Sequence, residues 1–170
     1  MYQQRNQIIG LSVFDEQGEY IASVSDIVID PERGKAAAIL LGKGGFILPD
    51  RIIDLTDKKI LISGGPKTDE ASAPFTIKKI VGEDYRLAGS KVETIKGESL
   101  GRVKDYAMEA VNFKIKKLFV SGGILKDFIK GELIIFDNQI VEIKKERVVV
   151  KDILLKQEKK SPRGLAEAGI

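Results

Sequence analysis

The feature that most constrains this chain is an internal repeat, carried by glycines, apolar residues and one aspartate. Under a shift of 79 residues the matching positions are Gly10 and Gly89, Val13 and Val92, Gly18 and Gly97, Val24 and Val103, and Asp26 and Asp105. Further along the chain the shift becomes 88, which matches Ile52 with Ile140 and Ile60 with Val148. The alternative is a generic β alternation that would match under any shift. Identical glycines beside matching apolar positions favour two copies of one small module.

The change of shift places an insertion in the second copy, around residues 124–131. Its apolar residues, Ile124, Leu125, Phe128 and Ile129, are spaced to form one side of a short helical turn. We expect this segment to cover an open end of its own module. The alternative is an apolar knob that contacts a protein partner or a second subunit.

Each copy consists of short β-rich segments separated by turns that contain Gly, Asp or Pro. Residues 15–18 and 30–34 are examples, and no long stretch has helical periodicity. Several short strands at this spacing predict a small all-β barrel or sandwich. Residues 66–81, polar and rich in Gly, Pro and Ala, are predicted to be a linker. The predicted domains are therefore residues 1–65 and 82–155, followed by a flexible, disordered tail at 156–170.

The composition excludes most common catalytic designs. The 170 residues include no His and no Cys, so a Ser-His or Cys-His nucleophile pair and a zinc site with nitrogen or sulfur ligands are ruled out. Acid–base chemistry would depend on Asp, Glu, Lys or Tyr side chains with strongly shifted pKa values. We therefore predict a protein that is not an enzyme and has neither metal nor cofactor. An enzyme that uses only carboxylates and lysines is the alternative to this prediction.

Charge and hydropathy predict a soluble cytoplasmic protein with no membrane insertion. The net charge is only +3, and no apolar run approaches the roughly 18–20 residues that span a bilayer. The N-terminal residues lack a secretory-signal pattern, and the absence of cysteine suits a reducing compartment. The mild excess of positive charge lies in the second half of the chain.

Two basic pairs precede apolar strands in that half, Lys114 with Lys116 and Lys145 with Arg147. In a strand, the members of each pair share a face. They are candidates for contacting RNA phosphates or an acidic protein surface. The alternative is an ordinary solvated face on charged edge strands.

The repeated unit resembles the PRC-barrel family. The second copy has the full Gly-x-Val-x-Asp motif of that family at residues 101–105, and the first has Ala22 in place of the glycine. Only the first copy keeps the proline of the Ile-rich turn, Pro49. The resemblance covers roughly residues 5–65 and 82–153. It implies an all-β chain of two small PRC-type β-barrels in tandem, with short helical turns.

The resemblance also implies a role in docking on larger assemblies. The leading hypothesis is a non-enzymatic adaptor that binds a protein partner, and a homodimer remains open because small barrels leave edge strands. The alternative is an RNA- or ribosome-associated assembly factor similar to the barrel part of the ribosome-maturation factor RimM. The shared motif residues are expected to serve the fold, and they are Gly10, Gly18, Asp26, Gly89, Gly97, Gly101 and Asp105.

Overall fold

The computed structural model describes residues 1–122 and 132–152. The apolar insertion residues Ile124, Leu125, Phe128 and Ile129 and the predicted tail, residues 156–170, lie outside the described residues. The chain divides into two compact units. The first comprises Met1–Arg86 and Ala107–Ile115, and the second comprises Leu87–Tyr106 and the chain from Lys116 onward.

The first unit contains a mixed six-stranded sheet and two helices. Its elements are β1 (Tyr2–Gln4), α1 (Arg5–Ile8), β2 (Ser12–Phe14), β3 (Tyr20–Asp30), β4 (Lys35–Leu41), β5 (Phe46–Ile47), a 3-10 turn (Pro49–Arg51), β6 (Ile52–Leu55), β7 (Lys59–Ile62) and α2 (Phe75–Glu83). The strand order is β5-β4-β3-β2-β7-β6, with β2 and β7 parallel. Strand β1 lies outside this sheet and pairs with Ala107, Met108 and Glu109.

The second unit repeats this arrangement. Its elements are β8 (Lys91–Thr94), β9 (Ser99–Glu109), β10 (Ile115–Ser121), β11 (Leu133–Phe136), a 3-10 turn (Asp137–Gln139), β12 (Ile140–Lys144) and β13 (Arg147–Val150). The last three residues of β9 and the first of β10 belong to the first unit. The order is β11-β10-β9-β8-β13-β12, with β8 and β13 parallel. The two copies thus share one strand order.

The chain is mostly β, in two mixed sheets. Among the described residues, the pairings do not close either sheet into a barrel, because the end strands β5, β6, β11 and β12 each pair with one neighbour. Within the same residues, no helix has the length and apolar character needed to cross a membrane.

The repeat in sequence corresponds to equivalent positions in the two cores. Ile39, Ile47, Ile60 and Ile62 are fully buried in the first copy. Their counterparts Leu118, Ile135, Val148 and Val150 are fully buried in the second. The turn before the long strand also recurs, since Gly18 and Gly97 have φ of 80° and 85° and donate their N–H groups to Asp15 and Thr94 respectively. This left-handed conformation favours glycine, which explains the shared residue.

Helix α2 covers one face of the first sheet. The residues buried between them are Ala38, Phe46 and Ala73, with Leu40, Leu48, Ile77 and Val81 packed around them. Residues 75–81 of the predicted linker are therefore helical and packed against the sheet. Packing of the partly buried Ile77 and Val81 on β4 and β5 explains why so short a helix forms, since an isolated helix of nine residues is marginal in water.

Candidate docking surfaces

Two of the basic residues predicted as a binding patch, Lys116 and Arg147, form ion pairs with carboxylates and are separated from each other in the fold. Lys116 Nζ is 3.0 Å from Asp137 Oδ2, and Arg147 Nη1 is 3.2 Å from Glu93 Oε1. These pairs partly neutralise two of the four predicted charges.

The strand order separates the basic residues further. Strands β9 and β8 lie between Lys116 on β10 and Arg147 on β13, a separation of roughly 14 Å at the usual strand spacing. Lys145 is exposed in the turn between β12 and β13. Lys114 belongs to the first unit, where its backbone bridges that of Lys35. Lys116 and Arg147 therefore do not form one compact cluster within the second unit.

The two motif aspartates make the same local hydrogen bond. Asp26 Oδ1 accepts from the Ile27 N–H at 2.8 Å, and Asp105 Oδ1 accepts from the Tyr106 N–H at 2.8 Å. In the first copy the register between β3 and β4 shifts between Val24 and Asp26, at a β-bulge. A β-bulge interrupts the hydrogen bonds between the strands, and a carboxylate beside it can accept a hydrogen bond from a backbone amide of the bulge.

Asp26 also contacts two arginines. Its Oδ1 accepts from Arg5 Nη2 at 2.7 Å and its Oδ2 accepts from Arg86 Nη1 at 2.9 Å. The hydrogen bond from Arg86 to Asp84, together with the nearby Asp26 carboxylate, raises the pKa of the Arg86 guanidinium. Asp26 thereby ties α1 and the residues after α2 to strand β3, a contact set within the fold of the first unit.

The first unit exposes a cluster that we call the lysine–aromatic patch, formed by Phe14, Tyr20, Lys43 and Lys59. The ring centroids of Phe14 and Tyr20 lie 5.8 Å apart at an interplanar angle of 67°, an edge-to-face contact. Lys43 Nζ lies 5.0 Å from the Tyr20 ring centroid, and Lys59 Nζ lies 5.9 Å from that of Phe14. Tyr20 is 49% exposed. The patch presents two cations and aromatic surface together.

Sequence reasoning missed this patch because its residues come from separate segments. Phe14 and Tyr20 flank the first hairpin and are paired across β2 and β3. Their positions on either side of the turn could have predicted the contact from sequence, because aromatic residues that face each other across a hairpin contact one another. The two lysines come from the Gly-rich bend after β4 and from β7, and only the folded sheet brings them near the rings.

The second copy has different chemistry at the equivalent positions. Under the shifts of 79 and 88, Glu93 and Ser99 replace Phe14 and Tyr20, and Gly122 and Arg147 replace Lys43 and Lys59. An ion pair between Glu93 and Arg147 therefore stands where the first copy has a cation over a ring. The lysine–aromatic patch is particular to the first copy.

The second unit exposes a different surface, which we call the β10–β11 face: Lys117, Phe119, Ile134 and Phe136. Lys117 is paired with Phe136 and Phe119 with Ile134 across the two strands. Ile134 is 40% and Phe136 is 46% exposed, and Lys117 Nζ lies 5.6 Å from the Phe136 ring centroid. Neighbouring apolar side chains at this exposure are typical of a surface that contacts another element.

No group of three or more acidic, His or Cys side chains arranged to hold a metal ion occurs in the part of the chain that the structure describes.

A comparison with protein-family models matches residues 4–68 to the PRC-barrel domain. This span contains all six strands of the first sheet and ends before the second copy. A search of curated proteins finds no match to the chain.

Proposed function

We propose that this chain, which carries a PRC-barrel domain at residues 4–68, is a non-enzymatic cytoplasmic adaptor that docks a protein partner on the lysine–aromatic patch. The observation that carries the proposal is the contact of exposed Tyr20 and half-buried Phe14 with the exposed side chains of Lys43 and Lys59. Tyrosine is enriched at protein interfaces because it offers a large apolar area at a small cost in conformational entropy. The flanking ammonium groups would select a segment that carries acidic side chains.

The second copy supports the proposal of two PRC-type modules in tandem. Its strand order is the same as that of the first, including the parallel pair in the middle of the sheet. Its surface differs at all four positions of the lysine–aromatic patch. Two modules with one scaffold and different surfaces suit an adaptor, because each module can select its own partner.

RNA binding is the alternative, and the geometry of the lysine–aromatic patch favours protein over RNA. Single-stranded nucleic acids bind by stacking bases on free aromatic faces beside a basic groove. Here Lys43 and Lys59 already lie over the rings of Tyr20 and Phe14. A base would have to displace a lysine in order to stack, whereas an acidic side chain can contact the ammonium groups where they are.

The test is affinity purification of the full chain in four forms: unaltered, Tyr20→Ala, Lys43→Glu and Lys145→Glu. Lys145 is an exposed lysine in a turn of the second unit and serves as the matched charge-reversal control. We expect the unaltered chain and Lys145→Glu to recover the same partner, and Tyr20→Ala and Lys43→Glu to recover at least about tenfold less of it. Truncation of a side chain at the centre of an interface reduces the binding free energy by about 1.4 kcal/mol or more, which is tenfold in affinity.

Nuclease treatment and a salt series separate the two functions. Protein docking on the patch should survive nuclease and weaken only moderately with salt. RNA binding should disappear with nuclease, and its affinity should fall steeply with log salt as counterions are released. Loss of the partner on nuclease treatment favours the RNA alternative, and equal recovery with all four forms rejects the patch as the docking site.

A further inference from the structure

The turn between β3 and β4, residues 30–35, has the same conformation as the turn between β9 and β10, residues 109–114. Gly34 and Phe113 hold the same position under the shift of 79, with φ of 61° and 57°. Each donates its N–H to the carbonyl oxygen four residues earlier at 2.9 Å. Both turns, which we call the β3–β4 turn and the β9–β10 turn, belong to the first unit.

Within the first unit the two turns exchange the same pair of hydrogen bonds. The Ala36 N–H donates to the Phe113 carbonyl oxygen at 3.0 Å, and the Ile115 N–H donates to the Gly34 carbonyl oxygen at 2.9 Å. The shift of 79 relates Ala36 to Ile115 and Gly34 to Phe113, so each bond is the counterpart of the other. Reciprocal contacts of this kind are characteristic of an isologous interface between two identical modules.

The centre of this contact is a lysine in both copies. Lys35 forms an isolated antiparallel bridge with Lys114, its own counterpart under the shift of 79. Both lysines are exposed, and like charges directly opposite one another on neighbouring strands are unfavourable. The turns are therefore held by the backbone hydrogen bonds and by the buried residues beside them, Phe113 at 5% and Ile115 at 2% exposure.

The segments that precede the two modules are exchanged in the same way. Strand β1 pairs with β9, and Gln3 lies opposite Met108. Tyr85, which precedes β8, accepts a hydrogen bond at its carbonyl oxygen from the Ile29 N–H at 2.9 Å. Ile29 and Met108 are counterparts under the shift of 79, and both are fully buried. The reciprocity therefore extends beyond the two turns.

Phe113 is where the two turns differ most. A positive φ favours glycine, which the β3–β4 turn has at Gly34, and a bulky residue is strained in this conformation. Formation of the turn therefore does not explain a phenylalanine here. Its side chain is buried within the first unit, and burial of the ring offsets the strain. The β3–β4 turn of another chain has no side chain to offer at this point.

We propose that the β3–β4 turn is a self-complementary surface that binds the equivalent turn of a PRC-type module, and that the second copy occupies it within the same chain. A second chain then finds the surface filled, so the protein is a monomer. The second copy is the favoured occupant because it supplies the Phe113 ring and because a covalently linked partner has a high effective concentration. This surface shares no residue with the lysine–aromatic patch, so its test is independent of the proposed function.

The chain contains no cysteine, which allows a disulfide test in the full chain. The flanking hydrogen bonds make Lys35 and Lys114 a non-hydrogen-bonded pair, whose Cα atoms lie about 4.5 Å apart in an antiparallel ladder, within the range of a disulfide. Under mild oxidation, Lys35→Cys/Lys114→Cys should form a disulfide within one chain at a rate independent of protein concentration.

The matched control is Lys43→Cys/Lys114→Cys. Lys43 is also an exposed lysine, but it follows the far end of β4, roughly 20 Å or more from Lys35 along the strand. The Lys35 pair should form its disulfide at least about tenfold faster than the Lys43 pair. Equal rates overturn the proposal, and so does a Lys35 pair that forms disulfides only between two chains.

The single variant Lys35→Cys tests self-complementarity. In the otherwise unaltered chain we expect a monomer with few disulfides between chains. Phe113→Lys places a charge where the ring is buried and so displaces the β9–β10 turn. In that background two β3–β4 turns can pair with residue 35 opposite itself, so Lys35→Cys should link two chains at least about tenfold faster than in the unaltered background. Lys43→Cys in the same background is the control and should not link chains.

Circular dichroism checks that the Phe113→Lys chain is folded. A folded Phe113→Lys chain that stays monomeric and forms no Lys35→Cys link overturns the proposal. Equal linking of Lys35→Cys with and without Phe113→Lys also overturns it, because the surface is then not filled by the second copy.

Phe113→Gly keeps the proposal testable if Phe113→Lys does not fold. It gives the β9–β10 turn the glycine of the β3–β4 turn and removes the backbone strain. Loss of the ring should still slow the Lys35–Lys114 disulfide several-fold. Val111→Gly, at a position in the same turn that is 90% exposed, is the matched control and should change the rate little. An unchanged or faster rate with Phe113→Gly overturns the proposed preference for the second copy.

Discussion

The guanidinium of Arg147 lies 3.2 Å from the carboxylate of Glu93 across the parallel strands β13 and β8. At the equivalent positions of the first copy, Lys59 Nζ lies 5.9 Å from the ring centroid of Phe14. A surface cation is kept in both copies, while its partner changes from a ring to a carboxylate. The sheet beneath tolerates this exchange because the core positions alternate with the surface ones. Surface chemistry can thus differ between copies without a change of fold.

A double-mutant cycle on Arg147→Ala and Glu93→Ala should give a small coupling energy. Both side chains are partly exposed, at 44% and 27%, so solvent and salt screen their attraction. We expect a coupling of about 0.5 kcal/mol, within the range for exposed pairs, measured by urea unfolding. The coupling should fall when the salt concentration is raised. A coupling above about 2 kcal/mol that is insensitive to salt would contradict the screened geometry.

Gly101→Ala should destabilise the second unit strongly. Gly101 has a φ of 119°, and a Cβ at this position would overlap the carbonyl oxygens of Ser121 and Gly122. Backbone strain and backbone overlap act together, so we expect a loss of about 3 kcal/mol or more in the free energy of unfolding. Chemical denaturation followed by circular dichroism measures this loss.

The first copy provides the matched control, because it has Ala22 at the equivalent position. Ala22 is buried in strand β3. Ala22→Gly should therefore cost only about 1 kcal/mol, from the entropy of glycine in a strand and the loss of one methyl group. Equal effects of the two substitutions would show that the left-handed backbone at Gly101 is not maintained in solution.

The strands and their arrangement in two copies were largely predictable from the sequence, because their signals are local. Turn glycines such as Gly18 and Gly97 mark hairpins by their positive φ, and alternating apolar residues mark the buried face. The two shifts found in sequence agree with the structure: β3 and β9 are both eleven residues long, and the 3-10 turns Pro49–Arg51 and Asp137–Gln139 are matched by the shift of 88.

Features that depend on tertiary contacts were not predictable in the same way. Helix α2 lies partly in a segment whose Gly, Pro and polar residues indicated a linker, and its stability comes from packing on Ala38 and Phe46. The basic residues were predicted without their partners, since Asp137 and Glu93 come from other elements of the sheet. The prediction that the motif residues serve the fold is addressed by the variants of Gly101 and Asp26.

Arg51→Ala should loosen the segment between β7 and α2. The Arg51 side chain is 17% exposed and donates to three backbone carbonyls as well as to Asp69, which is itself mostly buried. Its removal leaves Asp69 with only the Leu48 N–H among its side-chain donors in the described residues. We expect a loss of about 3 kcal/mol in the free energy of unfolding and faster amide exchange in α2.

Arg51→Lys serves as the control for charge. A lysine keeps the positive charge but cannot reproduce the planar fork that reaches several carbonyls at once. It should recover less than half of the stability lost in Arg51→Ala. Full recovery by lysine would mean that the charge alone holds the segment, and that the carbonyl contacts contribute little.

Asp26→Ala should destabilise the first unit by about 2–4 kcal/mol, because it removes a buried carboxylate that accepts hydrogen bonds from two arginines and a backbone amide. The double variant Asp26→Ala/Arg5→Ala distinguishes pairing from packing. Arg5 is 21% exposed, so loss of its acceptor leaves a partly buried cation, and removing that cation relieves part of the penalty. The double variant should therefore lose less stability than the sum of the two single variants, as measured by urea unfolding. Strict additivity would mean that Asp26 acts through the Ile27 amide and Arg86 rather than through Arg5.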